Sequence, residues 1–186
     1  MSKTGKRIIN FLFILIILAF FFTPLGFESK IILNRIFASG PEIIAPEERL
    51  PIKDYDWTLK DENWDFFNFK RSEGKVIFIS FWASWRIPSI SELSNIQKLY
   101  DHYKGKIDFY VITDEEKAPV EELMEKRGYT FPVTYLIIGQ KMPFDAGKVP
   151  SGYIIDKDGN IAARHEGVTD WNGKKVRELL DRLIKA

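Results

Sequence analysis

An uncharged apolar segment near the N-terminus divides this chain of 186 residues into two parts that need different solvents. The 20 residues from Ile8 to Phe27 contain no charged side chain and consist mainly of Phe, Ile and Leu. A helix of this length crosses a hydrocarbon core of about 30 Å at about 1.5 Å per residue. The sequence therefore predicts a membrane anchor at 8–27, followed by a part that folds in water.

The charges around this segment predict its orientation. Lys3, Lys6 and Arg7 precede it, and the positive-inside tendency keeps residues 1–7 in the cytoplasm and exports the remainder of the chain. A cleaved signal peptide is the alternative, although its apolar stretch is usually shorter and ends at a small-x-small site. The nearest candidate, 36–38, has the bulky Ile36 where a small residue belongs. We therefore expect a retained signal-anchor with one span and a periplasmic domain in the cell envelope.

Composition excludes several classes of function. The 27 basic and 26 acidic residues leave a net charge of +1 and no basic stripe, so we expect no nucleic-acid partner. Cysteine is absent, which excludes disulfides, thiolate nucleophiles, Cys-ligated zinc and iron-sulfur clusters. His102 and His165 lack metal-ligand spacing, and the acidic residues between 54 and 65 lack the pattern of a calcium loop. We predict no metal and no cofactor.

A mixed segment at 28–50 links the anchor to the rest of the chain. Pro41 and Pro46 interrupt any periodicity, so we predict a tether. Its apolar residues fit either a helix on the membrane surface beyond the span or an apolar linker; they are Ile31, Ile32, Leu33, Ile36 and Phe37.

Residues 51–186 alternate between strand and helix patterns and are predicted to form one domain. Strand patterns cover 55–59, 75–82, 107–112, 131–138, 152–156 and 160–165, and helix patterns cover 89–103, 119–127 and 176–184. Alternation predicts parallel strands, and the turn signal Asp158-Gly159 predicts a final antiparallel hairpin. We therefore expect a mixed sheet with helices on both faces. Ser89 and Glu92 have capping-box spacing, and Asp170 or Asn172 is predicted to cap the last helix.

Residues 81–89, Phe-Trp-Ala-Ser-Trp-Arg-Ile-Pro-Ser, join the central strand to the helix after it. This segment resembles the FWA-x-W-C-x-P-C motif of thioredoxin-like, redoxin-class proteins of the TlpA and ResA type. The resemblance runs from about Asp54 to the C-terminus. It includes Val149-Pro150, placed like the family's cis-proline loop, and the segments 155–160 and 167–172. It implies an α/β thioredoxin-like fold, with a mixed central sheet flanked by helices after one transmembrane helix.

The chain departs from this family at the reactive positions. Aligned on Trp85 and Pro88, the family's two cysteines fall on Arg86 and Ser89. In the family the first thiolate attacks a disulfide and the second thiol resolves the mixed disulfide. Arg86 cannot act as that nucleophile, and the Ser89 hydroxyl needs an adjacent base. We therefore predict no catalytic residue. Glu92 matches a glutamate that tunes the family's thiols, and without them we predict a helix-capping role.

The family's recognition surface remains as the candidate site. Trp82 and Trp85 are either divided between core and surface or both packed inside. Arg86 either grips a carboxylate at the helix mouth or is a solvated charge. Val149 offers its backbone to an extended peptide if Pro150 is cis, and otherwise lies in an ordinary turn. These five residues are the predicted binding residues.

Two hypotheses for function remain. The first is a non-catalytic binding or scaffold module that holds a polypeptide or partner subunit in the old substrate groove. The second is a thioredoxin-class oxidoreductase homologue with residual non-thiol activity, of which a Ser-His hydrolase is a minor variant.

Overall fold

The computed structural model describes residues 3–186 and begins with two helices that precede the sheet. Helix α1 spans Lys3–Phe22, and Thr23 separates it from α2 at Pro24–Ile36. Gly5–Phe22 has a mean hydropathy of 2.1 and is not buried, so it is long and apolar enough to cross a membrane. A signal sequence has the same character. Of the predicted cytoplasmic segment 1–7, residues 1 and 2 lie outside the described residues.

The chain bends sharply between these two helices. Thr23 ends α1 and caps α2, because its side-chain oxygen accepts a hydrogen bond from the backbone N of Gly26 at 3.2 Å. A Cβ added to Gly26 would lie 1.9 Å from the backbone oxygen of Phe20, so only glycine allows the two helices to approach this closely. The bend is therefore a packed junction.

Helix α2 occupies the first part of the predicted tether and docks on the domain. Ile31 is 2% exposed. Arg127 donates two hydrogen bonds to the Glu28 carboxylate, at 2.9 and 2.6 Å, and this pairing lowers the pKa of Glu28. Arg35 Nε donates to the backbone oxygen of Ser91 at 3.4 Å. A helix therefore connects the apolar segment to the domain.

The domain is built on one eight-stranded sheet in the order β1-β8-β7-β4-β5-β6-β2-β3. The strands are β1 Glu42–Ile43, β2 Thr58–Lys60, β3 Phe66–Asn68, β4 Ile77–Phe81, β5 Asp108–Thr113, β6 Val133–Tyr135, β7 Ser151–Ile155 and β8 Ile161–Glu166. The remaining helices are α3 Ile87–Tyr103, α4 Lys117–Arg127 and α5 Lys174–Lys185. β4, β5 and β6 pair in parallel, and the other neighbours are antiparallel. The predicted mixed sheet is confirmed.

The prediction of helices on both faces of the sheet is wrong. Side chains of α3, α4 and α5 all join one core cluster, which contains Leu93, Val120 and Leu180. The cluster on the opposite face contains no residue of these helices and is closed by irregular segments that carry Trp57 and Phe144. The connections β4-α3-β5 and β5-α4-β6 both run in the same direction across the sheet, and right-handed crossovers then place both helices on one side.

Two predicted helix caps are also wrong. Helix α3 begins at Ile87 after the N-cap residue Arg86, so Ser89 lies inside the first turn and is no cap. Pro88 explains the earlier start, because a proline fits the first turn of a helix, where its missing N–H has no intrahelical partner to lose. Helix α5 begins after Gly173, so neither Asp170 nor Asn172 is its N-cap residue.

Candidate functional site

The candidate site lies where the central strand β4 ends and α3 begins. Phe81 of β4 pairs with Ser151 of β7 in antiparallel register. The next residues outward, Trp82 and Pro150, therefore lie side by side at this end of the sheet. The Val149–Pro150 peptide bond is cis, as its position before β7 predicts. The pairing of β4 with β7 thus brings the two predicted halves of the site together.

The structure separates the two tryptophans of the motif. Trp82 is 1% exposed, and its Nε1 donates to the backbone oxygen of Val111 at 3.3 Å. Trp85 is 70% exposed. Trp82 is therefore a core residue beneath the site, and Trp85 presents its ring to any molecule that approaches the start of α3.

Arg86 and Ser89 occupy the positions of the family's two cysteines and have contrasting surroundings. The Arg86 guanidinium carbon lies 5.6 Å from the centre of the Trp85 ring. Within residues 3–186 Arg86 forms no ion pair. Ser89 is fully buried, and its Oγ has no hydrogen-bond partner in the described chain. Neither histidine therefore activates this hydroxyl, and the site has a cation at its mouth but no nucleophile.

One turn further along α3, Glu92 is buried beneath the site. It is 2% exposed, and its Oε1 accepts a hydrogen bond from the backbone N of Thr169 at 2.6 Å. Its Oε2 has no hydrogen-bond partner in the part of the chain described. Loss of hydration raises the pKa of Glu92 to about 8, although hydrogen bonds to the carboxylate act in the opposite direction. The predicted capping role is therefore wrong: Glu92 is a buried acid that connects α3 to the β8-α5 loop.

The loop between β4 and α3 is held by Glu115, which sequence reasoning missed. Its carboxylate accepts hydrogen bonds from the backbone N of Ser84 at 2.5 Å, from Ser84 Oγ at 2.6 Å and from Thr113 Oγ1 at 3.1 Å. Ser84 directly precedes Trp85, so Glu115 fixes the backbone that carries the exposed ring. Glu115 lies 31 residues from Ser84 in sequence, and no local pattern signals such a contact.

We expect Glu115→Gln to destabilise this loop. The amide has only one acceptor oxygen and adds an N–H group that faces donors, so charge-assisted hydrogen bonds are lost. Such bonds are worth about 1.5 to 3 kcal/mol each, and we expect a net loss of roughly 2 kcal/mol in the free energy of unfolding. Urea titration of the full chain in detergent measures it. Glu116→Gln, at an exposed neighbour, is the control, and equal stability of the two variants would contradict the assignment.

The loop before β7 leaves backbone groups free beside these side chains. The N–H and C=O of Val149 form no hydrogen bond within residues 3–186, and the residue is partly exposed. An extended peptide that approaches here can pair with this backbone. The site thus combines an aromatic ring, a guanidinium and an unpaired peptide unit.

Metal-ligating groups and a cavity elsewhere in the described chain give less support for a functional site. Among residues 3–186, the His, Asp and Glu side chains form no group of three or more that could hold a metal ion. A cavity of about 380 Å³ is lined by residues that include Asp145, Arg164 and Glu166. It carries charges of both signs, and none of the five predicted binding residues lines it.

The mixed sheet, the tryptophan-bearing loop into α3 and the neighbouring cis-proline together define a thioredoxin-like protein. The solved structure of a DsbF homologue from Corynebacterium diphtheriae has the same fold, with a TM-score of 0.61 and 20% identity over 77% of this chain and 94% of that one. In sequence the chain is similar to TlpA/ResA-type thioredoxin-like proteins, among them thiol-disulfide oxidoreductase ResA and thioredoxin-like protein YneN. No family model matches it.

Two relatives illustrate the extent of this similarity. The chain is 30% identical over 120 residues to thiol-disulfide oxidoreductase ResA of Bacillus thuringiensis, covering 62% of this chain and 65% of that protein. It is 26% identical over 130 residues to thioredoxin-like protein YneN of Bacillus subtilis, covering 68% of this chain and 75% of YneN. The aligned part thus spans slightly less than two thirds of the Bacillus thuringiensis protein.

Proposed function

We propose that this chain is a membrane-anchored binding module that holds an extended polypeptide beside the start of α3 and performs no thiol chemistry. One observation carries the proposal: both cysteine positions of the family motif are replaced, by Arg86 and Ser89, in a chain without any cysteine. Disulfide exchange requires a thiolate. This chain therefore lacks the nucleophile for the thiol-disulfide exchange that the name of its relatives describes.

The groups around α3 favour a peptide ligand with a carboxylate. Arg86 stands at the N-terminal end of α3, where the positive end of the helix dipole adds to its charge, and no carboxylate of the described chain neutralises it. The Trp85 ring adds apolar area, and the free peptide unit of Val149 adds backbone pairing. Together these groups fit an extended segment that contains an acidic side chain or ends in a carboxylate.

The apolar helix α1 supports membrane attachment, and the basic residues that precede Ile8 support an exported domain. Retention as an anchor, with the N-terminus in the cytoplasm, belongs to the proposal. The alternative of residual non-thiol catalysis has no specific support, because the Ser89 hydroxyl is buried without a base.

Site-specific photocrosslinking in intact membranes tests the binding module. We expect a probe at position 85 to capture a polypeptide, and we expect Arg86→Glu to reduce that product several-fold by reversing the charge beside it. A probe at position 66 is the matched control, because Phe66 is 68% exposed and lies on the edge strand β3, far across the sheet from β7. Equal capture from both positions, or no effect of Arg86→Glu, would contradict the proposal.

A further inference from the structure

The amphipathicity of helix α2 is reversed relative to that of a helix that faces water. Of the three charged residues of α2, Glu28 and Arg35 point toward the domain, where they contact Arg127 and Ser91. The third, Lys30, lies over the Phe20 and Phe21 rings of α1. Leu25, Ile32 and Ile36 are 75%, 52% and 68% exposed. These three residues, spaced seven and four apart, lie on one side of the helix and are called here its outer face. A water-facing helix has its apolar side against the protein and its charges outside.

Chain connectivity limits what can cover the outer face. Only Thr23 separates α2 from α1, and the Gly26 junction packs the two helices against each other. If α1 crosses the bilayer, the first turn of α2 must lie at the membrane surface. Leu25 is then at the level of the lipid headgroups, and the outer face continues the apolar surface of α1. A neighbouring exposed residue, Phe37, is 80% exposed and extends this surface beyond the end of α2.

We propose that α2 lies in the interfacial layer of the bilayer, with its outer face immersed and its opposite side holding the domain. Covering the outer face with lipid takes the apolar surface of three large aliphatic side chains out of water, and this burial favours the arrangement. The inference rests on the membrane anchoring of the proposed function, but it does not depend on the binding groove.

The docking of α2 makes this placement relevant to the site. Arg35, near the end of α2, contacts Ser91 in the second turn of α3, and the Glu28 ion pair fixes the other end of α2 to Arg127. Ser91 is five residues from Arg86, a distance of roughly 7 Å along a helix. The groove is therefore held close to the membrane surface, where it meets polypeptides that are themselves attached to the membrane.

The absence of cysteine allows a direct test by spin labelling. Single cysteines at positions 32 and 36 of the full chain are spin-labelled and reconstituted in vesicles of phosphatidylcholine and phosphatidylglycerol. Collision rates with oxygen, which concentrates in lipid, and with a water-soluble nickel chelate are then compared. Phe66→Cys is the matched aqueous reference, because Phe66 and Ile36 are each 68% exposed. Ile16→Cys, at a position 66% exposed, reports on α1.

We expect labels at 32 and 36 to show several-fold less contact with the chelate than the label at 66, and more contact with oxygen. Chelate access at 36 equal to that at 66, with position 16 in lipid, overturns the inference and leaves the anchoring intact. An aqueous signal at 16 overturns both. If the labels are shielded from both reagents and show spin-spin broadening that disappears on dilution with unlabelled protein, a second copy of the chain covers the outer face. This result also overturns the inference.

Discussion

Replacing Glu92 by glutamine is expected to stabilise the folded chain above pH 7 and to remove most of the pH dependence of its stability. The carboxyl group is buried under the site, with one oxygen bonded to the backbone N of Thr169 and the other without a partner in the described chain. Glutamine has nearly the same shape, keeps an oxygen for the Thr169 N–H and carries no charge. It therefore resembles the protonated acid at every pH.

The direction of this effect is set by the two pKa values of the group. Glu92 has a pKa of about 8 in the folded chain, against an ordinary value of 4.5. Between these values the folded chain keeps a proton that the unfolded chain has released, so raising the pH favours unfolding. The contribution of protonated Glu92 to the free energy of unfolding is present in full below pH 4.5 and is lost as the pH rises through about 8. At about 1.4 kcal/mol per tenfold change in proton affinity, the pKa difference can change the free energy of unfolding by at most about 5 kcal/mol, which is the ceiling for this effect.

Thermal unfolding of the full chain in detergent, from pH 5 to pH 9, measures this effect. We expect the two proteins to be similar at pH 5 and Glu92→Gln to be more stable at pH 9, by roughly 2 to 4 kcal/mol, because local rearrangement recovers part of the ceiling. This corresponds to roughly 5 to 15 °C in Tm for a chain of this size. Glu122→Gln, at an exposed position on α4, is the control. If the stability of Glu92→Gln varied with pH as that of the wild-type chain does, Glu92 would be ionised in the folded wild-type chain from pH 5 to pH 9, which would contradict the prediction.

The part of the fold that sequence predicts is the part with local periodicity. The apolar run at 75–82 contains β4, and the amphipathic pattern after it lies within α3. Both elements are recognisable because each buries a regular set of side chains. The three residues of β3 at the sheet edge were missed, because a strand this short with one exposed phenylalanine has no detectable alternation.

The features that sequence missed at the site depend on contacts between distant residues. Glu92 looks like a surface capping residue by its spacing, yet the loop at Thr169, 77 residues away, covers it. Glu115 reaches the β4-α3 loop over 31 residues, and Arg127 pairs with Glu28 over 99. Each is an ordinary acid or base in its own local segment. Only the packing of the chain decides which of them is buried and what it binds.

Sequence nevertheless located the site, because motif spacing carries its geometry. Trp85, Arg86 and Ser89 come directly after β4, and Pro150 precedes the strand that pairs with β4. The pairing of β4 with β7 is therefore enough to bring these residues close together in the fold. Their side-chain roles needed the structure, which buries Trp82 and Ser89 and leaves Trp85 exposed. The use of these residues in binding stays a prediction.

Restoring two cysteines is expected to give the chain a reductase activity that it lacks. Wild-type chain should reduce insulin disulfides no faster than buffer, since it contains no thiol. In Arg86→Cys/Ser89→Cys the first thiol sits at the N-cap position of α3, where the helix dipole favours the thiolate. Residues three apart in a helix have Cα atoms within the roughly 4.4 to 6.8 Å that a disulfide needs. The second thiol is therefore placed to close an intramolecular disulfide and release the substrate.

The single variants Arg86→Cys and Ser89→Cys are the matched controls, because one thiol can form a mixed disulfide but cannot resolve it. With dithiothreitol as the reductant that regenerates the dithiol, we expect turnover above the reductant's own background only in the double variant. We also expect the mass change of one intramolecular disulfide after oxidation. Thiol content and mass distinguish disulfide formation from turnover. A double variant that forms its disulfide but never turns over would show that the loop positions the thiols but no longer admits a disulfide substrate. A double variant that cannot form the bond would contradict the placement of residues 86 and 89 at the start of α3.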